Sequence, residues 1–273
     1  MTARLILHMG PHKTGTTALQ AFLRRNADVL GPDLQVVVPG KGAISRPMAQ
    51  AAWRFALGLD DHATLVSAIQ VARDALLDMR ADTILLSHEN LCGAMMGTGP
   101  TMEFYPQLPT LMDALDTHLA PLRPEYVFYT RSMDRWTASV HNQVVKANRY
   151  PHDLTRFRAE MAGADSWDEL SEATTKPGRT VTLFALEDEK DTTRPGTQLL
   201  QHAGLSDAQI AGLTPVTRPR NESLTPGALE FMRLANALKL SRPSRREIAQ
   251  TVVENQSVFD SLTDVLAVSR KEH

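Results

Sequence analysis

Short apolar runs alternate with amphipathic stretches along most of the chain. Leu5-Ile6-Leu7 is a compact apolar run ending at Gly10, the pattern of a strand buried on both faces. Leu19, Phe22, Leu23, Ala27 and Leu30 then recur at helical spacing, and Gly31 closes that helix. Val36-Val37-Val38 before Pro39 predicts a second strand, and residues from about Pro47 to Arg80 predict two helices. Thr83 to Leu86 predicts a third strand, Leu111 to Leu119 a helix, and Tyr126 to Tyr129 a fourth strand followed by a helix from near Asp134. Val181 to Phe184 predicts a fifth strand. Beyond Pro195 the pattern is helical only, with an amphipathic helix from Leu229 to Leu240 and a last one within Arg245 to Val268. Strands alternating with helices predict an α/β fold, a mostly parallel, doubly wound central sheet flanked by helices, with a helical C-terminal portion. The first and last strands lie far apart in sequence, so residues 1–273 read as a single domain.

Composition narrows the function classes. Hydrophobic residues make up 42% and charged residues 22%, ordinary for a globular protein. A net charge of −2 gives no global reason to expect nucleic acid or an acidic membrane as partner. Cys92 is the single cysteine, so no internal disulfide or cysteine-based metal site is expected. No run approaches the ~20 apolar residues that span a bilayer, and "ARLILHMG" is too short for a signal peptide. The expectation is a cytoplasmic protein without membrane insertion.

The candidate chemistry begins at "MGPHKTGTTALQ", residues 9 to 20. Gly10 and Gly15 have the spacing of a triphosphate-binding loop, but Thr16 stands where its lysine belongs and Lys13 lies inside the loop. Gly10 permits a sharp exit from the strand, and Gly15 lets backbone approach an anion closely. The N–H groups of Thr14, Gly15, Thr16 and Thr17 would converge at the positive end of the following helix, with the Thr16 and Thr17 hydroxyls as further donors. A lysine placed back in the loop suits a phosphate oxygen that gains charge as a bond breaks, because a preplaced ammonium stabilises the transition state most.

"PxKTGTTxLQ" resembles the 5′-phosphosulfate loop of sulfotransferases that use 3′-phosphoadenosine 5′-phosphosulfate, and "KTGTTAL" is most similar to the carbohydrate sulfotransferase form. The resemblance implies a three-layer, P-loop-like α/β fold and sulfuryl transfer from that carrier to a hydroxyl or amine on a small-molecule or carbohydrate acceptor. No metal is required, since a sulfuryl group carries less charge than a terminal phosphoryl. Ala18 stands where the small-molecule branch has an aromatic residue, so adenine must stack elsewhere. "YTRSMDRWTASVHNQ" carries a second resemblance: Arg131 at a strand end and Ser139 eight positions later reproduce the family's 3′-phosphate site. Guanidinium forks bind phosphate oxygens bidentately, and a hydroxyl adds a neutral donor. Asp134 is placed to cap the helix, and Arg135, Ser139, Asn142, Gln143 and Lys146 share a polar stripe opposite Trp136, Val140 and Val144.

A general base is expected to take the acceptor's proton. "ILLSHENL" places His88 and Glu89 at the end of the third strand. The small-molecule branch of the family implies His88 and the carbohydrate branch Glu89; Glu89 is favoured, while His88 reads better as ending the strand by a local hydrogen bond. "TRPRNESLTPGALEF" offers Arg218, Arg220 and Asn221 for the late basic loop that the family closes on its carrier, or else a basic loop before a helix capped near Ser223 or Thr225. "SRPSRREIA" reads as a solvated helix start, and the Met-rich loop from Cys92 to Met102 as packing or acceptor contact. The rival readings are a P-loop kinase or NTPase using Mg-ATP, and a nucleotide-binding protein without turnover.

Overall fold

A computed structural model describes residues 3–31, 33–99, 102–162, 164–216 and 223–260. Five strands form one sheet: β1 (Arg4–His8), β2 (Leu34–Val37), β3 (Thr83–Ser87), β4 (Pro124–Thr130) and β5 (Thr180–Ala185), in the order β2-β3-β1-β4-β5. Every pairing is parallel, with Leu5 opposite Ile84 on one side and Pro124 on the other. The helices are α1 (Thr16–Asn26), α2 (Ser45–Ala56), α3 (His62–Leu77), α4 (Leu108–His118), α5 (Met133–Asn148), α6 (Leu154–Glu160), α7 (Asp168–Thr174), α8 (Thr197–His202), α9 (Asp207–Ala211), α10 (Pro226–Ala237) and α11 (Arg242–Glu254). None among the described residues is long and apolar enough to cross a membrane.

The three central strands are the buried ones, as their unbroken apolar runs require. Leu5, Ile6 and Leu7, then Ile84, Leu85 and Leu86, then Tyr126 to Tyr129 are at most 1% exposed. Each such aliphatic side chain contributes about 1.5–3 kcal/mol by leaving water. Ile6, Leu85 and Val127 pack with Leu19, Phe22 and Leu23 of α1 and with Leu199 and Leu200 of α8. β5 closes one edge and is only half-buried.

The chain gathers into two compact units. The first comprises Met1–Met95, Glu103–Met133 and Gly163–Arg220 and holds the sheet; the second comprises Met96–Met102, Asp134–Ala162 and Asn221–His273. In the second, Val145 of α5 packs with Leu224, Ala228 and Met232 of the α10 segment and Val252 of α11.

Several boundaries differ from the sequence expectation by a few residues, and two of the differences have an identifiable cause. The first helix ends at Asn26 rather than near Gly31. Asn26 is buried, its amide donates to the Thr214 carbonyl at 3.0 Å, and its Oδ1 accepts from Thr214 N at 2.8 Å. That clasp on a distant segment fixes where the helix stops. Asp134 stands in the first turn of α5 instead of at its cap and accepts from Arg158 at 2.9 Å. The short helices α6 and α7 carry too little periodicity to be read from the sequence.

Candidate active site

The sheet order brings three strand ends together. β1 leads to β2 on one side, whereas β3 leads across to β4 on the other, so the connections leaving the neighbouring ends of β1 and β3 diverge. Such a switch point opens a crevice at the carboxyl ends of the strands. The glycine loop leaves β1 there, His88 and Glu89 follow β3, and Arg131 follows β4. Met9 N bonds to Val127 O at 3.1 Å, Tyr129 N to Gly10 O at 3.1 Å and His88 N to His8 O at 3.0 Å, which ties the loop to both neighbours.

The loop has the backbone its residues suggest. Gly10 and Gly15 have φ +102° and +88°, and Lys13 itself is left-handed at φ +70°. That conformation is rare for a residue with a side chain and concentrates at sites where geometry matters more than local energy. Gly15 opens α1 with no side-chain cap, so the first-turn N–H groups of the helix are not met by a capping residue. The Thr14 hydroxyl donates to Pro11 O at 2.6 Å and braces the loop. The Thr16 hydroxyl, in contrast, is buried without a hydrogen-bond partner among the described residues. A buried donor of that kind costs stability unless something accepts from it. Thr17 is exposed at the same helix end.

Gly10 also sets the distance to the next strand end. A Cβ at Gly10 would lie 3.2 Å from Glu89 Cα and 3.3 Å from its Cβ, so the loop rests directly on Glu89. Glu89 opens a short 3-10 turn (Glu89–Cys92), and its Oε2 accepts from Gln20 Nε2 at 2.8 Å. The same amide donates to the Ser87 hydroxyl at 3.3 Å, and that hydroxyl lies 2.8 Å from His8 Nδ1. Burial alone raises the Glu89 carboxyl, but its own turn N–H and the Gln20 amide, joined by the charge of His88 and His12 when those rings are protonated, outweigh it and hold it below the usual glutamate value. Burial lowers His88 and His12, and brings His8 to about 4. Near pH 7 the arrangement is therefore one carboxylate among neutral imidazoles.

His88 has a local role, because its Nδ1 accepts from Asn90 N at 3.4 Å and caps the turn. It also lines a cleft of about 500 Å³ with Pro39, Gly40, Arg46, Gln50 and Asn90. His12 lies 3.1 Å from Asn90 Oδ1 and 3.1 Å from the Tyr105 hydroxyl, which accepts from His12 N at 2.9 Å. Arg131 sits just past β4, in a turn held by Trp167 Nε1 on Arg131 O at 2.5 Å and by Ser132 N on Glu187 at 2.8 Å.

Ser139 lies in α5, in the second unit, half-buried. On the same helix Asn142 is no free ligand: its amide donates to Leu224 O and its Oδ1 accepts from Leu224 N, both at 3.0 Å. Trp136, Val140 and Val144 are fully buried, as the stripe predicts. Arg218, Arg220 and Asn221 fall outside the described residues, whereas Thr225 caps α10 by accepting from Ala228 N at 3.4 Å. Cys92, Met95 and Met96 are buried, which makes that part of the Met-rich loop packing.

Gln20, Asn90, His12 and Tyr105 were not singled out from the sequence. Gln20 had a usable signal, since it stands one turn after Thr16 and so shares its helix face. The His12–Tyr105 contact, 93 residues apart, had none.

No family model matches the sequence, and no curated protein does. Among solved structures, the chain is similar to a sulfotransferase from Alicyclobacillus acidocaldarius, with 13% identity, a TM-score of 0.42 and 96% of each chain covered. It is also similar to the sulfotransferase domain from the curacin biosynthetic pathway, with 10% identity, a TM-score of 0.41, 93% of this chain and 98% of that one covered.

Proposed function

We propose that the chain is a single sulfotransferase-like domain that moves a sulfuryl group from 3′-phosphoadenosine 5′-phosphosulfate to an acceptor hydroxyl or amine, without a metal. One observation carries the reading: the loop that would hold the carrier's phosphate packs directly on the residue that would take the acceptor's proton, so closely that a Cβ added at Gly10 would lie 3.2 Å from Glu89 Cα. Donor cradle and base are thus neighbours by construction. The cradle suits an anion, because it offers first-turn N–H groups, the Lys13 ammonium and the buried Thr16 hydroxyl that has no acceptor of its own.

In this mechanism Glu89, ionised near pH 7, accepts the proton of the acceptor O–H or N–H. The acceptor atom forms its bond to sulfur as the bond from sulfur to the 5′-phosphate oxygen breaks. Lys13 stabilises the charge that grows on that leaving oxygen. Gln20 holds the carboxylate in place, and His88 borders the cleft where the acceptor would lie. Arg46, Gln50, His88 and Asn90 supply the polar groups of that cleft, beside Pro39 and Gly40. On the sequence motif, Arg131 and Ser139 are assigned to the carrier's 3′-phosphate, with Arg218 and Arg220 as further contacts.

Calorimetric binding of 3′-phosphoadenosine 5′-phosphate without magnesium, set against 5′-AMP and ATP, tests the donor assignment. Binding that needs the 3′-phosphate and falls in Arg131→Ala is the expected result. ATP binding that appears only with magnesium overturns it in favour of a kinase or NTPase. Carrier binding with no transfer to any acceptor would indicate a nucleotide-binding protein without turnover.

A further inference from the structure

A second cleft, of about 1030 Å³, lies within the second unit where the end of α5 meets the start of α11. Four arginines line it, Arg149, Arg242, Arg245 and Arg246, against a single carboxylate, Glu247. In sequence, the last three resemble an ordinary solvated helix start. The fold changes that by placing Arg149, 93 residues before Arg242, on the same cleft.

Arg245 is the fixed member. Its Nε donates to Asn236 Oδ1 at 3.1 Å, and its Nη2 donates to the Val145 and Lys146 carbonyls at 3.4 and 3.3 Å, at the last turn of α5. Arg149, Arg242 and Arg246 are exposed around it. Among the described residues, none of the four guanidiniums forms an ion pair with a carboxylate. Burial and the facing charge of Arg149 both oppose the charge on Arg245. Like charges gathered this closely repel, and an oxyanion between them converts that repulsion into paired, charge-assisted hydrogen bonds. The amino end of α11 adds its positive dipole on the same side. The volume exceeds what one phosphate fills and suits a ligand with several charged groups.

We propose that this cleft binds a ligand bearing two or more clustered phosphate or sulfate groups. The assignment does not depend on the sulfotransferase reading, because it uses no residue of the glycine loop or of the Glu89 network.

The test is calorimetry on the full chain, in which the arginine variants below separate binding at this cleft from any binding at the glycine loop. Inorganic tripolyphosphate and a sulfated tetrasaccharide are the two probes, each at low and moderate salt. We expect at least one probe to bind, with affinity that falls steeply with salt. The affinity should drop about tenfold or more in Arg242→Ala/Arg246→Ala, the scale of losing charge-assisted hydrogen bonds. Arg149→Asn, which keeps a residue tolerant of the left-handed backbone at φ +65°, should weaken it similarly. The lysine double variant Arg242→Lys/Arg246→Lys should restore part of the loss. Preference for one probe identifies the chemistry as phosphate or sulfate. No binding of either probe, or binding unchanged by the arginine variants, overturns the proposal, and circular dichroism of each variant shows that the fold is retained.

Discussion

The glycine loop and the arginine cleft are two ways of presenting positive charge, and they differ in what holds them. The loop has one lysine on a left-handed backbone, braced by Thr14 on Pro11 and resting on Glu89. Its groups are positioned by strands that are fully buried. The arginine cleft has four cations, three of them exposed, and among the described residues only Arg245 is held by hydrogen bonds. Preorganised charge at fixed distances suits bond breaking, where a small displacement is costly. Several exposed guanidiniums suit binding, where affinity grows with the number of contacts and salt screens it. Rigidity, more than charge count, separates the two.

The largest expected effect falls on the rigid side. Lys13→Ala should slow sulfuryl transfer by about 100- to 1000-fold, the scale of losing one transition-state donor, measured as release of 3′-phosphoadenosine 5′-phosphate with the best acceptor from a hydroxyl panel. The carrier's affinity should change far less. Equal losses in rate and affinity would make Lys13 a binding residue and remove the contrast with the arginines.

Glu89→Gln should cost about 100-fold or more in the same assay, within the usual range for a general base. The Glu89 carboxyl is held below the ordinary glutamate value, so the acid limb of the pH–rate profile should lie below that value. Gln20→Leu removes one of the bonds that lower it, and the limb should move to higher pH. The same sign governs stability: a depressed carboxyl stabilises the fold above the unfolded glutamate range, and that contribution is lost as pH falls through the lowered value. An unmoved limb in Gln20→Leu would show that Gln20 does not position the base.

Backbone rigidity can be tested without turnover. Gly10→Ala puts a side chain at φ +102° and 3.2 Å from the Glu89 backbone, and should destabilise the chain by about 1–3 kcal/mol. Asn142→Ala should cost a similar ~1–3 kcal/mol, because it leaves both main-chain groups of Leu224 without their partner. Urea denaturation reads both, and carrier affinity should be unchanged in Asn142→Ala. The smallest change belongs to the cleft: Arg242→Ala/Arg246→Ala should leave stability within about 0.5 kcal/mol, as exposed substitutions do. A larger loss would give those arginines a structural part.

The alternation of apolar runs and helical spacing was enough to predict all five strands and the helical end of the chain, because burial on both faces leaves an unmistakable run at Leu5, Thr83 and Tyr126. The glycine loop was legible too, since its parts are local: a turn, a helix start and the residues between them are consecutive. Glu89 and His88 were visible as candidates at a strand end, although nothing local distinguished the one held by Gln20 from the one capping its own turn.

Tertiary structure alone decided the rest. It seated Gly10 on Glu89, joined His12 to Tyr105, turned Asn142 from a member of a polar stripe into a clasp on Leu224, and stopped the first helix at Asn26 through Thr214. It also gathered Arg149 with Arg242 and Arg246, residues whose local sequence suggests only solvent. The physical reason is the same in each case. Periodicity and turn chemistry act over a few residues and are written in order along the chain, whereas a hydrogen bond or a charge cluster depends on which distant segments the packing makes adjacent.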